Sequence, residues 1–159
     1  MNNCCKLRRT ASLALLCTLS LLAQDNGHLK VGQPTKAAGK RNTALQVRIP
    51  VSIDKGFHVN SNTPAEDYLI PLKLVWNPGG GLIGGDVTYP KATLEKYEFS
   101  EKPLSIFTGD FSLVVNFQVA PDAPAGPGVK VGKLRYQACD NKACYPPKTV
   151  EVSVPYQVQ

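Results

Sequence analysis

Leu45, Val47, Ile49, Val51 and Ile53 alternate with Gln46, Arg48, Pro50 and Ser52, the period-two mark of a strand with one buried face. The same period returns at Phe111, Leu113, Val115, Phe117 and Val119, and again at the valines of 148–158. Shorter apolar runs at 57–60, 69–76, 86–90, 105–108 and 133–138 read as further strands, because turn-forming clusters bound them. Asp54-Lys55-Gly56 is a turn, Ser61-Asn62-Thr63-Pro64 ends a strand, and Gly109-Asp110 predicts a hairpin joining 105–108 to 111–119. Pro50 has no N–H to give to a ladder, so the first strand is expected at a sheet edge or at a bulge. Segment 91–103 reads as a strand end running into a loop, and 121–128 as a Pro/Gly/Ala connection. Trp76 is expected to anchor the core.

Eight or so short strands with turns at regular spacing, and little helical period, predict an all-β chain folded as an immunoglobulin-like β-sandwich. Five glycines in 77–85 invite comparison with a phosphate-binding loop. No Lys-Ser/Thr follows them and no helix pattern opens after them, so an inter-strand loop is expected instead. With 159 residues, 43% hydrophobic and only 19% charged, the chain has material for one domain with a real core and is not a disordered polymer.

The N-terminus changes the picture of where this domain works. Lys6, Arg8 and Arg9 precede a nearly continuous apolar run over 11–23, too short to span a bilayer and of the length of a secretory signal core. The expected organisation is a signal peptide over 1–23, a flexible polar tail over 24–43 with a solvated His28 and room for a short edge strand, and a sandwich domain over 44–159. Cleavage would remove three of the 18 basic residues and no acid, leaving 15 against 12, a net charge of +3 that gives no reason to invoke nucleic acid. It would also remove Cys4, Cys5 and Cys17, leaving Cys139 and Cys144 as a lone pair in an oxidising compartment outside the cytoplasm. No second apolar run of spanning length follows.

Four residues, Asp140 to Ala143, separate the two cysteines, and strand-like segments flank them, so the thiols are expected to face each other near the tip of a C-terminal hairpin. Several uses of such a pair stay open on the residues alone. A bridge closing so short a loop is worth only about 2 kcal/mol on the chain-entropy model, which makes it a modest staple and an accessible exchange site. Two thiolates with His58 or His28 could hold a soft ion such as Cu(I), whereas a structural zinc site needs four ligands at spacings this chain does not supply. No cofactor or metal is assigned. Lys142 favours a thiolate and Asp140 opposes it, so the local charges cancel.

The run Tyr136-Gln-Ala-Cys-Asp-Asn-Lys-Ala-Cys-Tyr-Pro-Pro147 resembles the cysteine hairpin of the N-terminal periplasmic domain of the thiol:disulfide interchange protein DsbD. Gly56-Phe-His-Val-Asn60, Tyr89-Pro90 and Phe99-Ser-Glu-Lys-Pro103 are similar to further parts of that family, and the likeness covers about 44–154. The resemblance implies a disulfide that accepts electrons from a thioredoxin-like donor and passes them to periplasmic thiol/disulfide proteins. It implies that Cys144 forms the mixed disulfide and Cys139 resolves it. It also implies a cap loop over about 98–103, with Glu98 and the ring of Phe99 shielding the pair and Tyr136 and Tyr145 packed around the sulfurs. Two departures stand out. The spacing between the cysteines is one residue shorter than in the DsbD forms, and His58 and Asn60 occupy positions that are aromatic there. Without transmembrane and thioredoxin-like parts, the chain is expected to stand alone and depend on a separate membrane electron carrier.

Overall fold

A computed structural model describes residues 27–159, and the expected signal peptide and its three cysteines lie outside the described residues. The chain forms twelve strands in three four-stranded sheets, with no helix among the described residues. The first sheet has the order β1 (Leu29–Val31), β3 (Ala44–Ile53), β9 (Asp110–Val119), β6 (Leu82–Thr88). The second has the order β2 (Ala37–Gly39), β12 (Lys148–Val158), β10 (Gly126–Tyr136), β5 (Lys73–Trp76). β2 lies parallel to β12, and every other pairing is antiparallel.

These two sheets face each other as a β-sandwich, and the alternation read from the sequence is what fills the space between them. Val47, Ile49, Val51, Leu113 and Val115 from one sheet share a buried cluster with Leu74, Leu134, Val152 and Val154 from the other. Each such side chain contributes about 1.5–3 kcal/mol by leaving water. Trp76 stitches the layers together: its indole N–H donates to the Gly85 carbonyl of β6 (3.2 Å), and its ring meets Phe117 edge-on at 5.0 Å. Gly85 sits at a bulge with φ +108°, and a Cβ there would lie 2.4 Å from the indole.

Several expectations need correction. The described part of the 24–43 tail supplies not one short edge strand but two, β1 on β3 and β2 on β12, and so is bound to the sandwich instead of flexible; three-residue strands leave no readable period. His28 is half-buried instead of solvated, stacked on Phe57 with ring centroids 3.4 Å apart. β3 is no edge strand, since β1 and β9 flank it. The Pro50 carbonyl accepts from Gly32 N–H (2.8 Å), so its missing donor faces the point where β1 has just ended and disturbs nothing toward β9. Much of the glycine-rich stretch belongs to β6, and 69–76 is strand only from Lys73.

The predicted hairpin of 105–108 with 111–119 is instead a change of sheet. β8 (Leu104–Phe107) belongs to the third sheet, of order β11 (Ala138–Cys139), β4 (His58–Asn60), β8, β7 (Thr93–Glu95). The chain crosses from the first sheet to the third between β3 and β4, and from the third back to the first between β8 and β9. The two crossings are tied where Ile53 N–H donates to Gly109 O (3.0 Å). The third sheet is therefore a continuation of the first beyond this bend, with Leu69, Leu104, Ile106 and Tyr97 as its own small core. It carries the cysteines.

Candidate functional site

β10 and β12 pair without interruption from Gly126↔Val158 to Tyr136↔Lys148, and residues 137–147 leave the ladder as an excursion. Inside it, Cys139 and Cys144 face each other as an isolated bridge and are joined by a disulfide, their Cα atoms 3.9 Å apart. Asp140 shapes the connecting turn. Its Oδ1 accepts from the N–H groups of Lys142 (2.7 Å) and Ala143 (2.9 Å), and its Oδ2 accepts from the Tyr145 hydroxyl (2.7 Å). Hydrogen bonds from Lys142 N–H, Tyr145 O–H and Ala143 N–H, in that order, hold this carboxyl down to about 2. Tyr145 N–H returns to Ala138 O (2.8 Å), which closes the inner hairpin.

The two sulfurs differ in setting. Cys139 is fully buried (0% exposed) and lies on β11, whereas Cys144 is half-buried beside the 40% exposed Tyr145. β11 is held on one side by β4, in the register Ala138↔Val59 and Cys139↔His58. Gln137 braces the foot of the excursion: its Nε2 donates to Tyr145 O (3.1 Å), and its Oε1 accepts from Asn60 Nδ2 and Ile70 N–H, each at 3.4 Å.

A column of rings covers the β4 side. His58 (2% exposed) stacks on Tyr97 with centroids 4.2 Å apart and planes 20° apart, and Tyr97 stacks in turn on Phe99 at 5.5 Å. The turn at Glu98-Phe99 is closed by Ser100 N–H donating to Tyr97 O (3.2 Å), and Lys96 Nζ donates to the Ser100 carbonyl. The Tyr97 hydroxyl donates to Glu95 (2.8 Å); burial first, then this bond, drives the phenol well above its ordinary value. Burial pushes His58 below its ordinary value, with Glu95 and then Asp140 pulling weakly the other way. Burial thus favours the neutral imidazole.

Of the residues singled out from sequence, the structure brings Cys139, Cys144 and Tyr145 together in the excursion. Phe99 is 40% exposed on the outer side of Tyr97, so Tyr97 is the ring that rests on the strand beside Cys139; Glu98 is exposed at the turn. Tyr136 is buried at the base of the excursion, against Gly27, where a Cβ would collide with its hydroxyl. Sequence reasoning did not single out Tyr97, Gln137 or Asp140 for the site. Asp140 carried a readable signal, since an Asp opening a tight turn commonly accepts from the N–H groups two and three residues on. A second ring cluster, His28, Phe57 and Tyr145, lies on the other flank, with centroids of 5.6 and 5.9 Å from Tyr145. Between these groups a cavity of about 610 Å³ opens, lined by Asp54, Phe57, His58, Glu95, Tyr97 and Asn141.

The fold has a counterpart among solved structures. The N-terminal periplasmic domain of ScsB from Proteus mirabilis superposes with a TM-score of 0.58 at 14% identity, over 82% of this chain and 47% of that one. The chain thus spans about half the length of that ScsB domain. The N-terminal domain of Neisseria meningitidis DsbD, solved in its reduced form, aligns at 21% identity over 71% of this chain and 82% of that one, with a TM-score of 0.44. No curated protein sequence matches. A family model described as the N-terminal part of thiol:disulfide interchange protein DsbD matches residues 27–155, which takes in both the sandwich and the cysteine excursion. The chain belongs to the family of DsbD N-terminal domains.

Proposed function

We propose that this chain is a periplasmic thiol-disulfide relay that takes electrons from a thioredoxin-like donor and passes them to exported proteins through Cys139 and Cys144. One observation carries the reading: the bridge sits outside the sandwich ladder, with one sulfur sealed and the other half-open. A thiolate attacks a disulfide at the sulfur it can reach, which here is Cys144. The donor thiolate bonds to Cys144 Sγ, the Cys139–Cys144 bond breaks, and its electron pair leaves on Cys139 Sγ, which takes up a proton. The donor's second thiolate then attacks its own sulfur in the mixed disulfide and releases Cys144 as a thiolate. The donor is oxidised and this chain reduced by two electrons.

Delivery runs the same chemistry in reverse order, with Cys144 attacking the acceptor's disulfide and Cys139 resolving the product. Turn 98–103, with Phe99 outermost and Tyr97 beneath it, acts as the cover that a docking partner displaces. The donor is re-reduced by a separate membrane electron carrier. Trapping tests the assignment of the sulfurs: Cys139→Ala, incubated with a reduced thioredoxin-like protein and an oxidant, should accumulate a covalent complex that Cys144→Ala does not. Equal trapping by both variants would overturn the assignment. A bridge that resists reduction to well below about −300 mV would mark it as a staple only.

A further inference from the structure

The register that fixes β11 puts an ionisable ring beside the sealed sulfur. His58 and Cys139 are direct partners across an antiparallel pair, so their side chains leave the same face with Cβ atoms about 4.5–5.5 Å apart. Both are buried, at 2% and 0% exposure. His58 Nε2 is buried with no hydrogen-bond partner among the described residues, a costly position for a polar nitrogen. Stacking on Tyr97 fixes the ring plane, so the imidazole is held in place without that bond. In the disulfide form Cys139 bears no proton to donate. Reduction creates an S–H on that same face, next to an acceptor that lacks one.

We infer that His58 is the proton-exchange partner of the Cys139 thiol, taking its proton when Cys139 resolves a mixed disulfide and returning it when Cys139 is the leaving group. The inference rests on the exchange reading above and deepens it. In resolution, the Cys139 proton moves to the imidazole and the thiolate bonds to Cys144 Sγ. The Cys144–partner bond breaks, and its electron pair leaves on the partner's sulfur. The imidazolium then gives its proton to the departing thiolate or to water.

The groups around the ring suit this use. Tyr97 covers one side and donates its hydroxyl proton toward Glu95, while Glu95 and Asp140 supply negative charge that steadies a transient imidazolium. Asp54, Lys55 and Asp110 line the same cavity. Without such a base, a buried thiol depends on its rare thiolate, because burial disfavours the charged form.

The test follows reduced wild type, His58→Phe and His58→Gln with oxidised glutathione across pH, quenching with acid and weighing the protein to separate adduct formation from resolution. Phe keeps a ring for Tyr97, and Gln keeps a hydrogen-bond acceptor; neither side chain takes up or releases a proton in this pH range. Wild-type resolution should form a plateau between the imidazole and thiol titrations. Both variants should instead climb about tenfold per pH unit and fall about a hundredfold behind near neutral pH. Variant profiles of the same shape as wild type would overturn the inference and leave the relay intact. If neither variant folds, the imidazole titration of wild-type His58 by NMR decides: it should shift on reduction, and an unchanged titration would overturn the inference. Failure of the wild type itself to exchange with glutathione would overturn the relay and the inference together.

Discussion

Tyr97→Ala removes the middle ring of the column over β4 and should speed reduction of the bridge. The magnitude follows from the one stacking that joins the turn to the strand, Tyr97 on His58 at 4.2 Å, because Phe99, 5.5 Å from Tyr97, belongs to the same turn. A ring pair of this kind contributes about 0.5–1.5 kcal/mol beyond its area, and that much of what holds the turn against the strand disappears. If a thiol reaches the pair only when that turn lifts, each 1.4 kcal/mol raises the open fraction about tenfold, giving a rate increase of roughly 2- to 12-fold. The assay is pseudo-first-order reduction by dithiothreitol, read as loss of the bridge by alkylation and mass shift. Leu94→Ala serves as control, because Leu94 is 72% exposed and lies outside the ring column. A Tyr97→Ala rate no faster than wild type would refute the idea that this turn gates the sulfurs, since even the weakest ring pair predicts about a doubling.

Other outcomes follow from the same geometry. A carboxyl whose folded value is depressed stabilises the fold above its unfolded value and loses that contribution as pH falls through the folded one. For Asp140 that window runs from 3.8 down to about 2, so thermal melts of oxidised wild type and Asp140→Ala should differ above the window and converge below it. Gly85→Ala combines φ +108° with a Cβ 2.4 Å from the Trp76 ring, and should cost about 1–3 kcal/mol or more in urea melts followed by tryptophan fluorescence.

The sandwich was legible where its strands are half-buried and long. In β3 every second residue from Leu45 to Ile53 is buried, and in β9 Leu113, Val115, Phe117 and Val119 are, as the alternation required. What escaped were features without a local signature. β1 and β2 are held by partners far along the chain, and the family match begins at residue 27, well before the likeness read from about residue 44. The crossing at Gly109 looks like a hairpin turn from either side, and only long-range pairing of β8 with β4 distinguishes the two. At the site, the cysteines and their turn were local enough to read. The ring over His58 was not, because Tyr97 and Phe99 are two residues apart and neighbouring aromatics in a loop carry no sign of which one turns inward.

Because β10 and β12 keep step to their last pair, Tyr136 with Lys148, the turn between the cysteines stands clear of that frame, and only the foot of the excursion, at 137–139, is tied to its neighbours. A residue inserted or deleted in 140–143 would lengthen or tighten the inner turn while leaving every rung of the sandwich below in place. Redox behaviour and foldability are thereby decoupled. The loop is free to drift toward a new partner or potential without endangering the packed layers of valines and leucines that carry it.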